Sequence, residues 1–99
     1  MQLQQLRTFR EVAAELSFTR AARNLHYSQP SVTAHIKNLE EFIGTPLFHR
    51  GGGRIELTDA GRSLLPHAER IIEIAETAEA ECREAALAGR PRTAATSAA

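Results

Sequence analysis

Between Arg20 and Arg54 the chain carries five basic side chains (Arg20, Arg23, Lys37, Arg50, Arg54) against two acidic ones (Glu40, Glu41), and His26, His35 and His49 can add partial positive charge. A local excess of this sign suits a phosphate-binding face. It is hidden in the total, because twelve Lys and Arg balance twelve Asp and Glu. Residues 1–58 hold seven basic and five acidic groups, and the remainder holds five and seven. Other chemistry finds little support. His26, His35, His49, His67 and Cys82 lack paired metal-ligand spacing, and Glu56 and Asp59 have no companion placed for acid–base work. Gly51-Gly52-Gly53 is not followed by Lys-Ser or Lys-Thr, so it is no nucleotide loop. The expectation is a chain that binds without catalysing.

Length narrows the architecture. Ninety-nine residues accommodate one small domain and an appendage, and 42% hydrophobic with 24% charged residues is a composition that folds. One cysteine, Cys82, permits no intrachain disulfide and sits among alanines as a small apolar residue. The N-terminus lacks a basic segment followed by an apolar run, and nowhere do about 18 apolar residues run unbroken. A protein that is neither secreted nor membrane-spanning, and is cytoplasmic, is expected.

The elements that position the basic segment follow from periodicity. Leu3, Leu6, Phe9, Ala13 and Leu16 form one face of a first helix. Ser17 caps a short second helix whose Phe18, Ala21, Ala22 and Leu25 repeat at helical spacing up to His26-Tyr27-Ser28. Ser28 caps a third, with Pro30 in its first turn and Val32, Ile36, Leu39 and Ile43 as its inward stripe, ending at Gly44 before Pro46. Gln29, Pro30, Thr33, Ala34 and Lys37 are then left on the outward side near the helix N-terminus. Two helices joined by a three-residue polar turn have the layout of a DNA-reading helix-turn-helix, here at about residues 18–37. Leu47–Arg50 and Arg54–Leu57 flank the glycine triplet as the two sides of a small hairpin, a wing.

Thr58-Asp59 opens a long helix reaching toward Leu87, with Pro66 predicting a kink or irregular first turn. Leu64, Ala68, Ile71, Ala75, Ala78 and Cys82 step by four and three, widened by Leu65 and Ile72, which predicts a seam against a second copy of the same helix. At roughly 25 cal/mol per Å² such a seam would contribute several kcal/mol. The tail from Gly89 to Ala99 has almost nothing to bury and is expected to be flexible. The fold class expected is therefore mostly α: a winged helix-turn-helix over 1–58, a dimerisation helix over 59–88 and a tail over 89–99.

The combination of Ser28-Gln29-Pro30, Leu47-Phe48-x-Arg50 and Leu57-Thr58-x-Ala60-Gly61, together with Ser17-Phe18-Thr19, Ala21-Ala22 and Leu39-Glu40, resembles the N-terminal DNA-binding domain of LysR-type transcriptional regulators. The resemblance runs from Met1 to about Leu87. It implies double-stranded DNA as partner and a homodimer on a pseudo-palindromic site, with a tetramer possible in an intact regulator. It implies no cofactor in this chain, since a small-molecule inducer would bind a C-terminal domain beyond it. The expectation is a piece of such a regulator, with a natural short form as the alternative.

Placed on the matching residues, the resemblance implies that Gln29 hydrogen-bonds adenine in the major groove, with Pro30, Thr33 and Ala34 beside it. Lys37, Ser17 and Thr19 would meet phosphates, and of Arg50 and Arg54 one would hold a phosphate while the other enters the minor groove. Ala34 and His35 stand where relatives often carry arginine or glutamine, so fewer direct base contacts are expected; Tyr27 replaces an aliphatic residue in the turn. The alternative function is a winged-helix module for protein–protein interaction or oligomerisation, which would lack a salt-dependent affinity for duplex DNA.

Overall fold

In the computed structural model, which describes residues 1–89, helix α1 (Leu3–Glu15) packs against α2 (Phe18–Leu25), α3 (Gln29–Ile43) and α4 (Asp59–Ala88). Between α3 and α4 lies a hairpin of β1 (Phe48–His49) and β2 (Glu56–Leu57), joined through a short 3-10 turn at Gly51–Gly53. The strands are antiparallel, with Phe48 opposite Leu57 and His49 opposite Glu56. The tail expected beyond Gly89 lies outside the described residues.

Local capping sets the helix ends as expected. Ser17, Ser28 and Thr58 each accept at their side-chain oxygen the backbone N–H three residues on, from Arg20, Ser31 and Gly61. Gly44 closes α3 in the left-handed conformation at φ 94°, its N–H donating to the Glu40 carbonyl at 2.7 Å. Two other ends use a non-glycine residue for the same geometry. Leu16 (φ 50°) ends α1 and His26 (φ 61°) ends α2. Leu16, read as the last residue of the apolar face of α1, is consequently turned outward and is 49% exposed.

The core is built from Leu6, Phe9 and Val12 of α1, Phe18, Ala21 and Ala22 of α2, Val32, Ile36 and Leu39 of α3, Leu47 and Phe48 before and in β1, and Ala68 and Ile72 of α4. Phe48 sits between Phe9 and Phe18, with ring centroids 5.5 and 6.1 Å away, so the hairpin is anchored through one aromatic side chain. Ile43 ends the α3 stripe differently from expectation. With Phe42 it lies past the edge of the core, and the two are 39% and 66% exposed.

Helix α4 is continuous from Asp59 to Ala88 with Pro66 inside it, and the proline is exposed, where a carbonyl left without its partner N–H has access to water. One expectation for α4 is corrected. Half of the stripe assigned to a second copy is used within the chain. Ala68 and Ile72 are wholly buried in the core, and Leu64 and Leu65 pack against it. The reason is rotation: the first turns of α4 lie along α1 and bury the apolar face there. Ile71, Ala75, Ala78 and Cys82 remain outside the core, joined by Ile74, which is 62% exposed and was not in the expected seam.

Candidate nucleic-acid interface

Three elements converge on one open groove. The start of α2 contributes Ser17, Phe18 and Thr19, the start of α3 contributes Gln29 and Thr33, and the wing contributes Arg50, Gly53 and Ile55. Their approach follows from local folding. The left-handed turn at Leu16 and the cap at Ser17 aim the first turn of α2 outward, and the tight turn at His26 brings α3 back across it, the Tyr27 N–H donating to the Ala22 carbonyl at 2.9 Å. The hairpin then folds against the pair through Phe48.

The outward residues of α3 stand where the helical spacing puts them. Gln29, Pro30, Ala34 and Lys37 are exposed, and Thr33 is half-buried at the groove floor. The groove thus unites Ser17, Thr19, Gln29, Thr33 and Arg50, while Pro30, Ala34, Lys37 and Arg54 are not in its lining. Among the described residues Arg20, Arg23, Lys37 and Arg54 form no ion pair within 4.0 Å, so their charge is available to a ligand. The α3 N-terminus, with no acidic residue in its first turn, adds the partial positive charge of the helix dipole at the same place.

Arg50 is held and not free. Its guanidinium lies 4.8 Å from the centroid of the Phe18 ring and 3.7 Å from the Glu40 carboxylate. The other oxygen of Glu40 accepts the Leu47 N–H at 2.8 Å. One carboxylate at the end of α3 therefore fixes both the entry into the wing and the wing arginine that borders the groove. Glu40 was not a candidate from sequence, although it belongs to the Leu39-Glu40 pair in the motif string.

The Leu57-Thr58-x-Ala60-Gly61 segment has a positional role. Thr58 is 8% exposed; its N–H donates to the Leu47 carbonyl at 3.0 Å, its hydroxyl donates to the Pro46 carbonyl at 2.8 Å, and the same oxygen caps α4. Gly61 lets α4 approach the Leu47 carbonyl so closely that a Cβ would sit 2.3 Å from its oxygen. These contacts lock α4 to the base of the wing. Elsewhere on α1, Asn24 donates to Glu11 and Glu15 at 2.8 and 2.9 Å and ties α2 to α1. Arg7 of α1 pairs with Glu76 of α4 at 3.0 Å.

No helix among the described residues is long and apolar enough to cross a membrane, and none of their His, Cys, Asp and Glu side chains cluster as a metal site.

The comparisons with known proteins agree on one lineage. The model of the bacterial regulatory helix-turn-helix protein, lysR family, matches residues 3–62. The HTH-type transcriptional regulator YwqM of Bacillus subtilis is 49% identical over 79 residues, which is 80% of this chain and 27% of that protein. The Hca operon transcriptional activator HcaR of Escherichia coli is 45% identical over 84 residues, 85% of this chain and 28% of the relative. The chain thus spans little more than a quarter of the length of these two. Among solved structures, the CbnR DNA-binding domain in complex with DNA superposes with a TM-score of 0.81 at 40% identity, covering 87% of this chain and 99% of that one. The BenM DNA-binding domain on its catB site 1 DNA gives 0.84 at 32% identity, covering 91% and 99%. From its match over the helix-turn-helix and wing, this chain belongs to the lysR family of bacterial regulatory helix-turn-helix proteins.

Proposed function

We propose that this chain is the sequence-reading part of a LysR-type transcriptional regulator, which binds a pseudo-palindromic duplex as a homodimer in the cytoplasm and has no catalytic role. The observation that carries the reading is the groove where Ser17, Thr19, Gln29, Thr33 and Arg50 meet, on elements that also carry Arg20, Arg23, Lys37 and Arg54, which form no ion pair among the described residues. The CbnR and BenM DNA-binding domains, each solved on duplex DNA, share this fold along nearly the whole length of those domains.

In this reading the N-terminal turns of α3 enter the major groove. Gln29 pairs its amide with an adenine edge, Pro30 and Ala34 offer apolar contact, and Thr33 supplies a hydroxyl and a methyl. Ser17 and Thr19 donate to a phosphate together with first-turn N–H groups of α2, and Lys37 meets the backbone further along. Arg50, braced on Phe18 and Glu40, is the fixed phosphate clamp; Arg54, exposed and without an ion pair among the described residues, is the arm that reaches the minor groove. The exposed apolar side of α4, with Ile71, Ile74, Ala75, Ala78 and Cys82, meets a second copy, and a two-fold axis there presents two α3 helices to the duplex. A small-molecule inducer would act on a further part of a longer regulator.

The test is binding to duplex DNA over a range of salt. Lys37→Ala is expected to reduce the slope of log K against log salt by about 1. Gln29→Ala is expected to relax preference at one base position by about 1–3 kcal/mol, read by selection from a random duplex pool. Binding that ignores salt, or selection unchanged by both substitutions, would instead favour a protein-interaction module.

A further inference from the structure

Behind the reading face of α3 lies a polar contact that the DNA-facing residues do not use. Thr8 of α1 is wholly buried, and its hydroxyl is 2.9 Å from Nδ1 of His35, a half-buried side chain on the inner flank of α3. The His35 ring stands edge-on to Tyr27 in the turn, with centroids 5.3 Å apart at 89°. The Tyr27 hydroxyl in turn accepts a hydrogen bond from the Gln4 side-chain amide, one turn of α1 before Thr8. Both ends of this chain of contacts are on α1, and both middle members flank the first two turns of α3.

We infer that His35 and Thr8 are positioning residues for base reading: their hydrogen bond sets the rotation of α3 about its axis, and so the direction in which Gln29, Thr33 and Ala34 face the duplex. Glu40 holds the C-terminal end of α3 through the Leu47 N–H, more than a turn beyond the reading positions; the anchors around the reading positions are Val32, Ile36 and Leu39, whose apolar burial is non-directional and tolerates small rotation and sliding. A hydrogen bond between two part-buried groups is directional and weakens steeply off axis. It sits one residue after Ala34 and two after Thr33, where a small rotation moves the tips of the outward side chains most relative to base edges. Misplacement of about 1 Å in a positioned group is enough to cost orders of magnitude in other precisely aligned sites. His35 therefore acts on specificity from the side of the helix turned away from DNA. The inference rests on the DNA-binding reading above.

The experiment compares affinity for a duplex that the unaltered chain selects from a random pool with affinity for a shuffled duplex of the same composition, at one salt concentration, alongside thermal unfolding. Thr8→Val removes the hydroxyl at nearly constant volume. His35→Phe, should Thr8→Val fold poorly, keeps an aromatic ring against Tyr27, somewhat larger, and removes both ring nitrogens. Each is expected to weaken the selected duplex about tenfold, within the discrimination of one bidentate base contact, and to leave the shuffled duplex unchanged. Thr8→Ser keeps the hydroxyl and is expected to retain most of the affinity. Loss of both duplexes in proportion to the unfolded fraction would show a merely structural contact and overturn the inference, as would no loss in either variant. If the unaltered chain enriches no duplex at all, the DNA-binding reading falls and takes the inference with it; if it does enrich one and the variants match it, the inference alone falls.

Discussion

Gly61 offers a perturbation whose outcome can be worked from distances. At an ordinary helical position, replacing glycine by alanine stabilises by about 1 kcal/mol. Here the added Cβ would lie 2.3 Å from the Leu47 carbonyl oxygen, 2.8 Å from Leu57 Cδ2 and 3.3 Å from the Leu47 carbonyl carbon. The leucine side chain can turn away. The carbonyl cannot, because it is backbone and accepts the Thr58 N–H at 3.0 Å. Relief requires α4 to withdraw from the base of the wing, stretching that bond and the one from the Thr58 hydroxyl to the Pro46 carbonyl at 2.8 Å. Two such bonds contribute about 1 kcal/mol each, and overpacking strain adds about 1–3 kcal/mol. Against the propensity gain, the net loss for Gly61→Ala is roughly 2–4 kcal/mol, or a fall in Tm of about 10–25 °C for a domain of this size. Thermal unfolding followed by circular dichroism measures it, at one fixed protein concentration so that association does not shift the midpoint. Gly51→Ala serves as control, since nothing lies within 4 Å of its added Cβ and its φ is not positive. A Gly61→Ala protein as stable as the control would refute the close approach, and with it the account of why Thr58 and Gly61 occur together.

Two further outcomes follow from the same geometry. Glu40→Gln retains an acceptor for the Leu47 N–H but releases Arg50; with the arginine side chain 45% exposed and the charges 3.7 Å apart, the stability change is expected to stay within about 1 kcal/mol, while removal of a negative charge beside the groove raises affinity for any duplex, read by titration at low salt. A large fall in stability would place Glu40 in the wing's folding alone. Ile74→Lys, at a 62% exposed position of α4, is expected to leave the domain folded and make it monomeric at micromolar concentration by sedimentation, whereas Ile72→Ala, in the core two residues earlier, should cost about 2–5 kcal/mol; dimers persisting with Ile74→Lys would move the seam elsewhere.

What was legible in the sequence is what depends on neighbours along the chain. Ser17, Ser28, Thr58 and Gly44 act through bonds spanning three or four residues, so their residue types announce the helix ends. The outward set on α3 was legible because helical period alone separates Gln29 and Lys37 from Val32 and Ile36. Contacts between distant segments were not. Glu40 reaches Leu47 and Arg50, and His35 reaches Thr8 across 27 positions, and no spacing rule indicates either. The stripe on α4 shows the limit most clearly. Period identifies an apolar face and is silent on what covers it, so Ala68 and Ile72, which serve the chain's own core, were read together with Ala75 and Ala78, which do not.

The zero net charge, awkward at first for a nucleic-acid binder, is resolved by the same elongation of α4. Thirty helical residues at about 1.5 Å each make a rod of roughly 45 Å, and the described molecule is 59 Å in its longest dimension. The acidic groups Glu73, Glu76, Glu79, Glu81 and Glu84 lie along the part of that rod that runs beyond the core contacts of Ala68 and Ile72. At physiological salt a charge is largely screened beyond about 8 Å. A phosphate approaching Gln29, Thr33 and Arg50 therefore responds to Arg20, Arg23, Lys37 and Arg54, which form no ion pair among the described residues, and only weakly to the glutamates along that rod. The same glutamates, exposed beside Ile74 and Ala78, fall instead along the border of the face proposed to meet a second copy, where like charges disfavour a pairing that sets them side by side and so restrict how two α4 helices can lie together.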